Sequence, residues 1–142
     1  MAVTTAQLRS ELLTDPTGLG YAPFIAAGSD SEIVEAVNRI RATISVFRDD
    51  VAASELLAAL VKTDWNGLAA GDKQLFQAVV SAQRLDMTSA ALRGTLIALF
   101  PAGSATRTNL TAAASREGSR AEKLWGLGAS VSIADVALAL RG

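Results

Sequence analysis

Helix-start signals punctuate this chain so closely that long helices and broad sheets are both excluded. Thr4–Gln7, Ser29–Glu32, Ser119–Glu122 and Ser132–Asp135 each pair a hydroxyl with a side chain placed to bond back to the cap amide. That is capping-box spacing, and apolar residues at helical intervals follow each time. Leu8 and Leu12 follow the first box, and Asp15-Pro16 ends the run because proline cannot extend the hydrogen-bond ladder. Ile33, Val34, Val37 and Ile40 follow the second, Leu124 and Trp125 the third, and Val136, Leu138 and Leu140 the last.

Between the boxes the same spacing recurs. A helix starting at Asp49 or Asp50 would turn Val51, Leu56, Leu57, Leu60 and Val61 inward and stop at Asn66-Gly67, just after Trp65. A helix from about Ala70 offers Leu75, Phe76, Val79 and Val80. The next, after Asp86, offers Met87, Leu92, Leu96 and Leu99 before Phe100-Pro101. Gly94 inside that run costs about 1 kcal/mol against alanine unless a neighbouring helix needs the close approach. Residues 103–115 form a further, alanine-rich stretch with few large anchors. Gly18–Pro23 is a shaped connection that Leu19 and Tyr21 pack down.

One segment changes period. In Ala42–Arg48, Ile44 and Val46 alternate with Thr43, Ser45 and Phe47, as in a short strand or an extended linker. No second strand is read elsewhere, so an extended 43–47 segment would offer an unpaired edge to another subunit. The expected fold is therefore all-α: a compact bundle of about seven short helices, a single domain over 1–142, with one short extended segment near 43–47.

Composition then narrows the chemistry. The 142 residues include no histidine and no cysteine. Imidazole bases, thiol nucleophiles, zinc–thiolate sites and disulfides are thereby removed. No serine sits in a nucleophile elbow, and Gly18-Leu19-Gly20 lacks the preceding strand and third glycine of a dinucleotide loop. The acidic pairs Asp49/Asp50 and Glu32/Glu35 read as surface carboxylates. No cofactor, metal, catalytic residue or small-molecule substrate is expected. Met1 leads into a polar segment, and no apolar run approaches a membrane span, so neither a signal peptide nor a membrane partner is expected. A helix-turn-helix across Arg84-Leu85-Asp86 would have Arg93 as its second helix's only basic residue, which argues against sequence-specific nucleic-acid binding.

Charge is uneven along the chain. Residues 1–71 hold five basic and nine acidic side chains, net −4, and residues 72–142 hold eight and five, net +3. Such asymmetry steers contacts between neighbours in an assembly, or simply disperses over a wet surface. Arg116 and Arg120, around the Ser119 cap, are placed either to receive an anion or to face solvent. Trp125 and Trp65 each end an apolar helix beside a glycine, as core residues or as interface anchors. Ile44, Val46, Trp125, Arg116 and Arg120 are the interface candidates.

Three segments, Asp15-Pro16-Thr17-Gly18-Leu19-Gly20-Tyr21-Ala22, Leu96-Ile97-Ala98-Leu99-Phe100-Pro101 and Gly118-Ser119-Arg120-Ala121-Glu122-Lys123-Leu124-Trp125-Gly126, carry a resemblance over most of the chain. They resemble a largely uncharacterised family of small, alanine-rich helical proteins encoded among the virion and tail genes of tailed bacteriophages. Lys123 departs from the family pattern, which has a hydrophobic residue there. The resemblance implies a non-enzymatic structural or assembly component of the particle, at neck, tail or capsid. It would act on other phage structural proteins or copies of itself, and would be located in the virion after assembly in the host cytoplasm. The alternative is a non-packaged accessory protein that binds a host protein.

Overall fold

The capping signals at Thr4, Ser119 and Ser132 close as hydrogen-bonded boxes in the computed structural model, which describes residues 3–142. Ser119 Oγ accepts from the Glu122 amide at 3.0 Å, and Ser132 Oγ from the Asp135 amide at 3.1 Å. Ser29 is the exception: its side chain makes no cap bond. Asp30 and Glu32 in the first turn supply negative charge to the exposed amides there instead.

Helix accounts for 58% of the described residues. In order come α1 (Thr5–Thr14), α2 (Ala22–Ala27), α3 (Asp30–Asn38), strands β1 (Arg41–Phe47) and β2 (Val51–Ala52), α4 (Ala53–Ala58) and α5 (Lys62–Asn66). Next are α6 (Ala70–Val80), β3 (Arg84–Leu85) and α7 (Ala90–Leu96), which runs into a 3-10 turn, Ile97–Leu99. The chain continues through α8 (Ala105–Ala113), β4 (Ser115–Gly118), α9 (Arg120–Trp125) and α10 (Ile133–Arg141). Among the described residues no helix is long and apolar enough to cross a membrane.

The chain divides into two compact units, each with a hydrophobic cluster of its own. Unit 1 takes the segment ending at Val46 together with Glu117–Gly142, and unit 2 is Phe47–Arg116, inserted between them in sequence. In unit 1, α1 contributes Leu8 and Leu12, α3 Ile33 and Val37, α9 Trp125 and α10 Val136, around a fully buried Tyr21. Two side chains lock the ends of this unit. Arg9 Nη1 donates to the Ala139 carbonyl at 2.9 Å, satisfying the last turn of α10. Asn38 both donates to the Val131 carbonyl (2.8 Å) and accepts from its amide (2.9 Å).

Unit 2 packs Leu56, Phe76, Leu96, Phe100 and Leu110. Phe76 meets Trp65 and Phe100 edge-on, at centroid distances of 5.5 and 6.0 Å. Each such pair adds about 0.5–1.5 kcal/mol beyond the area it buries. The single helix expected from Asp49 to Trp65 is here split into β2, α4 and α5. Val51 pairs antiparallel with Leu85, and the Ala53 amide donates to the Gln83 carbonyl at 2.8 Å, so the chain is extended where a helix was expected. Between α4 and α5 the Val61 amide donates to the buried Thr106 hydroxyl at 2.8 Å rather than to a helical carbonyl. Leu57, expected to face inward, is about half exposed as a result.

The extended segment near 43–47 is real and longer than expected, and its supposed lack of a partner is corrected. β1 pairs with β4 in a two-stranded sheet. Ser115–Gly118 shows no apolar alternation, so its strand character depends on β1 rather than on local pattern. With ten α-helices and two strand pairs among the described residues, the fold is helix-dominated rather than strictly all-α.

Candidate functional site

The densest buried polar arrangement in unit 1 begins with one misfit on the inner face of α1. Leu8 and Leu12 point inward, and so does Glu11, only 5% exposed. A buried carboxylate needs donors, because desolvation otherwise costs several kcal/mol. It has three: Arg120 Nε at 2.7 Å, Arg120 Nη2 at 3.1 Å and the Tyr21 hydroxyl at 3.1 Å.

Local structure sets each donor in place. Arg120 is the first residue of α9, where the Ser119 cap fixes its backbone. Tyr21 is delivered by the Asp15–Gly20 turn. Asp15 ends α1 in the left-handed region (φ 41), and its carboxylate accepts from the Leu19 amide (2.8 Å) and the Gly20 amide (2.9 Å). Gly18 and Gly20 have φ of 67 and 87, which a side chain would oppose.

Burial, then the neighbouring Glu11 charge, pushes the Tyr21 phenol well above its ordinary value, so it stays protonated and donates. The hydrogen bond to Glu11 pushes the Arg120 guanidinium up as well. An open cleft of about 330 Å³ lies beside the pair, lined also by Gln7, Ser10, Thr14 and Trp125. The Glu11 oxygens are taken by two arginine nitrogens and a phenol. Chemically the cluster is a clasp between α1, α9 and the Asp15–Gly20 turn.

Unit 2 has a more exposed counterpart. Arg48 donates from Nη1 to Glu55 Oε1 (2.8 Å) and to the Ala113 carbonyl (3.0 Å), while Glu55 Oε2 accepts from the Ala52 amide (2.9 Å). The Arg48 hydrogen bond, followed by the Ala52 amide, holds the Glu55 carboxyl below its usual range. The same contact pushes Arg48 up.

The interface candidates divide by position. Trp125 is 4% exposed and packs in the unit 1 core. Val46 is 7% exposed, Ile44 half-buried. Arg116 lies exposed on β4, and Arg120 is turned onto Glu11. Lys123 donates from Nζ to the Ser45 carbonyl at 2.9 Å. Asp50 pairs with Arg84 at 3.4 Å, and Glu35 pairs with Arg39 one turn along. Among the described residues no group of three or more Asp and Glu is placed to hold a metal ion.

Glu11 is the residue that sequence reasoning missed. The signal was its position, one turn after Leu8 and next to Leu12, on the apolar stripe and not opposite it. No family model, curated protein or solved structure matches the chain.

Proposed function

We propose that the chain is a non-enzymatic structural or assembly component of a tailed-bacteriophage particle, working through protein–protein contacts. The observation that carries this reading is where the family-like segments fall. Asp15–Ala22 supplies the Asp15 turn and the buried Tyr21. Leu96–Pro101 supplies Leu96, Ile97 and Phe100 to the unit 2 core. Gly118–Gly126 supplies the Ser119 cap, the Arg120 clasp and Trp125. The resemblance thus rests on residues that pack, cap and clasp, as in a protein selected for shape rather than for reacting groups. The buried Glu11 fits the same reading, since its oxygens are engaged by Arg120 and Tyr21.

The test is affinity capture of the tagged chain from infected cells at the stage of particle assembly. Co-purification with portal, tail or capsid proteins supports the proposal. A stoichiometric host protein with no particle protein contradicts it and favours a non-packaged accessory role.

A further inference from the structure

Unit 2 carries a cleft of about 330 Å³ whose walls include Phe47, Ala90, Arg93, Gly94, Ala98 and Arg107. Two arginines line it and no acid does. Arg93 lies 3.8 Å above the Phe47 ring and donates from Nη1 to the Met87 (2.8 Å) and Thr88 (2.9 Å) carbonyls. Arg107 donates from Nη1 to the Phe100 carbonyl at 3.4 Å. These partners are all neutral, and each guanidinium keeps donors in hand after them. Two half-buried cations, held in place by ring and backbone contacts, form a preorganised site for carboxylates.

Gly94 adds a second observation. It sits inside α7, where glycine is unfavourable by about 1 kcal/mol against alanine. A Cβ placed on it would meet nothing within 4 Å. No packing within the chain requires glycine there, yet its absent side chain keeps this wall of the cleft low.

Charge complementarity identifies an occupant. Helix α3 carries Asp30, which Arg141 already pairs, and Glu32 and Glu35, with no basic residue between Asp30 and Asn38. Helices α7 and α8 each carry one arginine and no acid. Glu32 and Glu35 are exposed and one turn apart on a single face of α3. The Glu35–Arg39 pair is solvent-exposed, where an ion pair contributes little to stability.

We propose that the arginine cleft of unit 2 docks α3 of a second copy of this chain, with Glu32 and Glu35 against Arg93 and Arg107. The contact is head-to-tail, so repetition closes a ring or extends a filament. It goes beyond the particle reading and does not depend on it. A chain that is packaged but does not self-associate through this cleft overturns this proposal alone.

Sedimentation equilibrium of the full chain across a concentration series tests it. Self-association that weakens as salt is raised is expected. Gly94→Leu, which fills the cleft, is expected to keep the native circular dichroism and to weaken association by roughly tenfold or more. Arg93→Glu/Arg107→Glu is expected to be monomeric, as is Glu32→Arg/Glu35→Arg, and mixing the two restores association. A chain monomeric at its highest soluble concentration overturns the proposal. So does association indifferent to Gly94→Leu, or a mixture of the two folded charge variants that stays monomeric.

Discussion

A β-carbon placed on Gly118 would lie 2.8 Å from both γ-carbons of Val46. The strand β1 residue offered as an interface candidate is thus closed over by β4 of its own chain, which explains why Val46 is 7% exposed. Glycine is required at 118 by this close approach and not by backbone twist, since it is absent from the residues with positive φ. Gly118→Ala is expected to destabilise the protein by about 1–3 kcal/mol through overpacking. Adding Val46→Ala should recover part of that loss, and a double-mutant cycle on urea midpoints reads the coupling. Additive effects would place the two side chains out of contact.

The Glu11–Arg120 pair makes a sharper prediction. Glu11→Ala leaves a guanidinium and a phenol buried without their acceptor, which costs about 3–5 kcal/mol. Replacing both partners, Glu11→Met with Arg120→Met, is expected to cost far less, because no uncompensated charge remains. Denaturant midpoints of the single and double variants decide this. A double variant as unstable as Glu11→Ala would mean that the pair is not the source of the effect.

Tyr21 links the same cluster to alkaline pH. Its folded-state pKa lies above the ordinary 10.0, so the folded protein holds this proton more tightly than the unfolded chain does. The associated stability is fully present below 10.0 and is lost as pH rises towards the folded-state value. Tyr21→Phe removes this alkaline loss, at a cost of about 1 kcal/mol near neutrality from the missing hydrogen bond. Tyr21→Ala leaves a void in the unit 1 core and costs about 3–5 kcal/mol near neutrality. Melting temperatures followed from neutral to alkaline pH measure both.

Glu55 contributes on the acid side. Arg48 and the Ala52 amide hold its folded-state pKa below 4.5, so its contribution is present above that pH and disappears as pH falls through the lowered value. Glu55→Gln is expected to be less stable near neutrality and to lose less on acidification. Asp86, lowered by Thr88, adds to the same limb, so Glu55→Gln flattens it only in part. An unchanged acid limb in Glu55→Gln would contradict the assignment.

How much of this was legible in the sequence depends on the range of the determinant. The caps at Thr4, Ser119 and Ser132 and the burial of Tyr21 follow from residues a few places apart, and they were readable. The β1–β4 pairing joins segments about 70 residues apart, and Ser115–Gly118 has no strand pattern to announce it. Likewise the split of the expected 49–65 helix follows from Leu85 and Thr106, tens of residues downstream. At the candidate site, Arg120 was singled out for its charge, but the distant carboxylate that claims it was not. Glu11 reads as one more polar residue until α9 is brought against α1.

The proposed role in a tailed-phage particle is tested most directly by quantitative mass spectrometry of purified particles. The account predicts the chain in mature virions at a fixed ratio to the portal or tail proteins. Its absence from virions and from every assembly intermediate, while it is abundant in the infected cell, would contradict it.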